Sequence, residues 1–148
     1  MLVKNIMFKD ISSLADSALV QHAVKTLLRQ HRESLPVVNR QNKYLGMLSV
    51  ADILNAVLPE HYQLLQDLTF VPDSEKLVEE LKKVNLQKVK ALMRVDLPTL
   101  DEADTALHAV NIMISRGIDS IAVVRQGKLA GVVNRIDCLA SLSGSLDQ

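Results

Sequence analysis

Aromatic side chains are nearly missing from this chain, at 3% of 148 residues with no tryptophan. Rings on which the bases of a single strand could stack are therefore scarce. Hydrophobic residues still make up 48%, so the core has to be aliphatic. Charge of one sign is missing too: 17 Lys and Arg balance 17 Asp and Glu, leaving no net field to hold a polyanion and disfavouring nucleic acid as a partner. Cys138 is the single cysteine, which excludes an internal disulfide and a thiolate metal cluster and fits a reducing cytoplasm. No apolar run reaches the roughly 18 residues of a membrane span, and Lys4, Lys9 and Asp10 interrupt the N-terminus. The expectation is a soluble, unprocessed, cytoplasmic protein with no membrane partner. The nucleophile elbow, the Walker A loop and the HExxH zinc motif are all absent, so no catalytic residues, metal site or catalytic cofactor are expected.

What the chain does contain is a repeat. PVVNRQNKYLGMLSVAD at 36–52 returns as AVVRQGKLAGVVNRID at 122–137. VKNIM at 3–7 returns as VKALM at 89–93, and His22 and Ala23 return as His108 and Ala109. One residue fewer in the second turn marks two copies of one structural unit. Within each copy the hydrophobic period changes in the same order. Residues 18–31 and 104–116 carry helical spacing. Residues 35–38 with 44–48, and 120–124 with 128–133, read as hairpins. Residues 50–58, stopped by Pro59, and 135–142 read as second helices. With short strands near 13–14 and 99–100, each copy is a β-α-β-β-α unit in an α/β (α+β) fold. Units of about 55 residues are marginal alone, so the two are expected to pack face to face with pseudo-twofold symmetry around a shared core. The expected divisions are repeat 1 at 1–58, a helical insertion at 59–88, repeat 2 at 89–144 and a tail at 145–148. Within the insertion, 61–68 and 72–84 have helical character, the latter with a narrow stripe of Leu77, Leu81 and Val84.

Each hairpin ends in a matched polar motif: Gly46-x-x-Ser49-x-x-Asp52 and Gly131-x-x-Asn134-x-x-Asp137. A short polar residue with an acid three positions on, ahead of an apolar helix, resembles a capping box, and capping alone accounts for the pattern. The same helix N-terminus also suits a phosphate. There a hydroxyl or amide would bond phosphate oxygens, a carboxylate one turn on would accept a ribose diol, and the glycine would admit a ligand or a neighbouring backbone.

VKNIM, SLPVV and GMLSVAD in the first copy, with VKALM, LPTL, SIAVV and GVVNRID in the second, together resemble a tandem pair of cystathionine β-synthase (CBS) domains, the Bateman module. The resemblance spans about 1–58 and 86–144. It implies a regulatory module that binds an adenine nucleotide or related adenosyl ligand, such as AMP, ADP or ATP, between the repeats, and that dimerises into a disc. It implies a phosphate role for Ser49 and ribose roles for Asp52 and Asp137. Asn134 departs from the usual Ser or Thr and weakens that half-site, and Arg135 offers a charge-assisted phosphate contact. The resemblance also implies an adenine wall at Ile11, Ser12, Ser13, Leu35, Pro36, Val37, Leu97, Pro98, Thr99, Ile121, Ala122 and Val123. Which repeat's wall faces which carboxylate stays open. Arg94, Lys9 and Lys90 are further basic candidates near the cleft.

His22 and His108 have no second ligand at metal spacing, the methionines read as core filler, and Cys138 has no certain basic neighbour to activate it. The expected function is an adenine-nucleotide sensor whose conformational shift is read by a separate effector protein. The alternative is a ligand-free oligomerisation or docking module in which the four polar residues only cap helices.

Overall fold

A computed structural model of the chain describes residues 1–58 and 74–147; the helical character expected at 61–68 lies outside them. The repeat is visible as two three-stranded sheets of identical topology. In the first, β1 (Leu14–Ala15) pairs parallel to β2 (Ser34–Val38), which pairs antiparallel to β3 (Tyr44–Ser49). In the second, β4 (Thr99–Leu100), β5 (Ser120–Arg125) and β6 (Lys128–Asn134) repeat the arrangement. The registers agree residue for residue, with Leu14 opposite Val37 and Leu100 opposite Val123. Helices α1 (Val20–Gln30) and α2 (Val50–Val57) flank the first sheet, and α5 (Ala106–Arg116) and α6 (Arg135–Ser145) the second. The shorter second turn is closed by Gly127 at φ 80°, and Asn42 takes the left-handed position in the first at φ 62°.

The expected single shared core is corrected to two. One cluster holds Leu14, Val20, Leu27, Leu35, Leu48 and Ile53, the other Leu100, Ala109, Met113, Ile121, Val133 and Cys138. The repeats are joined by exchange of their leading segments. Val3 and Ile6, in and beside a short 3-10 turn at Val3–Asn5, are buried in the second core. Val89, which opens the one-turn helix α4 (Val89–Leu92), is buried in the first. The VKxxM motif is thus an anchor driven into the opposite repeat. The exchange continues as backbone pairing. Arg94 N–H donates to the Met47 carbonyl at 2.9 Å and Met47 N–H to the Arg94 carbonyl at 3.0 Å, while Phe8 and Val132 exchange bonds of 2.8 and 3.1 Å. A Cβ on Gly46 would collide with the Arg94 carbonyl oxygen, and one on Gly131 would press on Met7 and the Phe8 carbonyl at 3.0 Å. The motif glycines therefore admit a neighbouring backbone.

Between the repeats, α3 (Ser74–Val84) lies along α2 and turns Leu77, Leu81 and buried Val84 onto the first core. Repeat 2 has no such cover among the described residues. Val57 on α2 is 6% exposed, whereas Leu142, its counterpart on α6, is 50% exposed.

Candidate functional site

Each motif sits where a hairpin hands over to a helix. The last strand residue, Ser49, has extended backbone and serves as N-cap of α2. Its hydroxyl accepts the Asp52 N–H at 3.0 Å, and the Ser49 N–H donates to Asp52 Oδ2 at 2.9 Å. The capping box expected from spacing is therefore closed, and the second carboxylate oxygen makes no bond in it. At α6 the arrangement differs. The Asn134 backbone N–H and side-chain amide both donate to Asp137 Oδ2, at 3.3 and 3.1 Å.

Capping does not remove Ser49 and Asp52 from the surface. Both line a cleft of about 240 Å³ whose other wall comes from the opposite repeat: Arg94, Leu97, Gly117, Ile118, Asp119 and Ser120. This answers which wall meets which carboxylate: Asp52 of repeat 1 faces Leu97 and Ile118 of repeat 2. Met47, Ala51, Glu33, Ser34 and Arg135 complete the lining. One group stands out by lacking a partner. The Ser120 side chain is 9% exposed, and among the described residues its buried hydroxyl has none, although buried polar atoms are nearly always bonded.

A second cleft of about 230 Å³ is lined by Asn134, Arg135 and Ile136 of repeat 2 with His31, Arg32, Glu33 and Ser34 of repeat 1, and by Asp119. Asp137 does not line it. The Arg32 guanidinium lies 4.7 Å from the centroid of the Phe8 ring.

Of the residues expected at the site, Ser49, Asp52 and Leu97 meet in the first cleft, while Asn134 and Arg135 meet in the second. Leu35, Val37, Ile121 and Val123 instead fill the two cores at 0–1% exposure, and Pro36 and Ala122 are buried. Ser12 accepts a bond from the Gln30 side-chain amide. Ile11, Ser13, Pro98 and Thr99 line neither cleft. Arg94 lines the first cleft; Lys9 and Lys90 are exposed outside both. The clefts are lined instead by residues 117–120 and 31–34, which lead into and open β5 and β2. These residues were missed because they differ between copies; the paired Ser34 and Ser120 were their available signal.

Burial, then the charge of Asp137, pushes the Cys138 thiol up, which opposes formation of a reactive thiolate. His22 and His108 are exposed. Among the described residues no three His, Cys, Asp or Glu side chains group as metal ligands, and no helix is long and apolar enough to cross a membrane.

Comparison with known proteins places this geometry. The profile of the CBS domain matches residues 3–59 and 89–144. An uncharacterised protein of Methanocaldococcus jannaschii, MJ1426, is 30% identical over 155 residues, covering 96% of this chain and 91% of its own. A CBS domain-containing protein of unknown function from Bacillus anthracis superposes with a TM-score of 0.77 at 22% identity, covering 97% and 94% of the two chains. CBSX2, solved in complex with AMP, superposes with a TM-score of 0.75 at 19% identity and 97% coverage of both.

Proposed function

Because the chain belongs to the CBS domain family and carries two of its domains in tandem, we propose that it is a regulatory module binding an adenosine phosphate in the cleft of Ser49 and Asp52. The observation that carries this reading is the unpartnered, buried Ser120 hydroxyl in a cleft that also holds a capped helix N-terminus and an apolar flank. The base would rest against Leu97 and Ile118 and offer Ser120 its missing partner. The Asp52 carboxylate has lone pairs left for the ribose hydroxyls, and the first turn of α2 with Arg94 would hold phosphate. The AMP held by the structurally similar CBSX2 supports the class of ligand.

Charge narrows that class. Three carboxylates, Glu33, Asp52 and Asp119, face two arginines, Arg94 and Arg135, around the cleft. This balance suits a monophosphate better than a triphosphate. Such a ligand bridges the two repeats, so it favours the relative orientation in which both walls fit it, and an effector protein reads that orientation.

The alternative, a ligand-free docking module, is favoured by one observation, the fully closed Ser49–Asp52 box. A thermal-shift series with AMP, ADP and ATP separates the two. At 100 times its dissociation constant a ligand adds about 2.7 kcal/mol, so AMP should raise the midpoint by several degrees. Asp52→Asn, which keeps an acceptor for the cap, should abolish that rise. Equal midpoints with and without every nucleotide would leave the docking reading standing.

The reading extends to a homodimer. An apolar groove of about 240 Å³ between α5 and α6 is lined by Val110, Met113, Ile114, Leu139 and Leu142. In repeat 1, α3 covers Val57, the counterpart of Leu142, and a second copy would cover Leu142 and its neighbours here.

A further inference from the structure

The two clefts are built by one repeat rule and differ at the positions that would touch a base. At matched places, 86 residues apart, the first cleft has Gly117 and Ile118 where the second has His31 and Arg32. Arg94, on the first cleft's wall, is matched by Phe8. Cation and hydrocarbon have thus changed places. In the first cleft the arginine belongs to the crossing segment and leaves Ile118 as an apolar face. In the second, the arginine sits in the turn and lies over the crossing segment's ring, 4.7 Å from its centroid. The guanidinium is held there by the negative face of the ring.

The polar end differs in parallel. Asp52 lines the first cleft, but Asp137 does not line the second, and two donors of Asn134 converge on its Oδ2. The rim differs as well. Gly117 leaves open space where a Cβ would stand, whereas His31 carries a full side chain in the same left-handed conformation, at φ 51°.

We propose that the second cleft is closed to adenosine by the Arg32–Phe8 stack and by the hold of Asn134 on Asp137, so that this tandem pair holds a single nucleotide, and that Arg32 and Asn134 together decide its stoichiometry. A base entering there would have to displace the guanidinium from the ring and forfeit that cation–π contact. The inference rests on the adenosyl reading of the first cleft.

Calorimetric titration of the full chain with AMP tests it. The expected result is one equivalent per chain, lost in Asp52→Asn, weakened in Ser49→Ala and unchanged in Asp137→Asn. The double variant Arg32→Ile with Asn134→Ser, which copies Ile118 and Ser49 into the second cleft, should raise the count to two. Unfolding midpoints without nucleotide show that each variant is folded. Two equivalents in the unaltered chain, loss of binding in Asp137→Asn, or a count that stays at one in the double variant overturns the inference while leaving the adenosyl reading intact. No binding in the unaltered chain or any variant overturns both.

Discussion

Tyr44 shows how a single side chain records its surroundings. It opens β3, donates its backbone N–H to the Gly127 carbonyl at 3.0 Å, and buries a hydroxyl with no partner among the described residues. Burial pushes its pKa up to about 12 from 10. The neutral phenol is therefore favoured by folding. The stability this group contributes is complete below pH 10 and is lost as pH rises through about 12. Chemical denaturation followed from pH 9 to 12 should show a falling midpoint, and Tyr44→Phe should flatten that fall. An identical decline in the variant would assign it to other groups. Ser120 is the contrasting case. Its hydroxyl is also buried without a partner, but the residue lines a cleft, and under the proposed function a turn of its side chain would let a ligand complete it.

At the scale of elements, the exchanged leading segments hold the two repeats together. Gly46 is the tightest point, because the Arg94 carbonyl occupies the space of its missing Cβ. Gly46→Ala must push Arg94 away, breaking two backbone bonds and shifting the cleft wall. It should cost about 2–4 kcal/mol, in the range of severe overpacking and a lost buried bond. Gly131→Ala meets a flexible Met7 side chain as well as the Phe8 carbonyl and should cost less. Comparative urea denaturation of the two variants checks the order; a larger loss at Gly131 would contradict this account of the crossing. The elements themselves were largely legible in the sequence. A helix was expected at 104–116 and is found at Ala106–Arg116, and the 72–84 helix is Ser74–Val84. The exchange was not legible, because VKNIM and VKALM present the same apolar pattern to whichever core receives them. The burial of 35–37 and 121–123 was not legible for a related reason. Residues 35–38 of β2 are buried on both faces, so alternation cannot say which side chains look into the cleft and which into the core.

At the scale of the whole molecule, the internal pseudosymmetry supplies its own control. Helix α3 covers Val57, at 6% exposure, whereas its counterpart Leu142 stands at 50%; the outer positions are alike in both repeats, with Leu28 at 70% and Leu54 at 58% matching Ile114 at 73% and Leu139 at 64%. Leu139→Glu should shift the protein from dimer to monomer in sedimentation equilibrium with little change in the unfolding midpoint of the monomer. A monomeric unaltered chain at the same concentration would refute the dimer. The paired motifs suggested two half-sites, and Asn134 was expected to weaken the second. The sequence alone could not bring Arg32 over Phe8, since that contact joins residues 24 positions apart in chain number through a fold in which Phe8 is paired to the other repeat.

The central claim is that an adenosine phosphate bridges the repeats in the cleft of Asp52. The most direct measurement is a crystal structure of the protein grown with AMP. The account predicts density for one nucleotide per chain, with ribose at Asp52, base against Ile118 and Leu97 with Ser120 bonded to it, and the Arg32–Phe8 stack unchanged. Density only elsewhere, or a cleft holding water alone at saturating AMP, would contradict it.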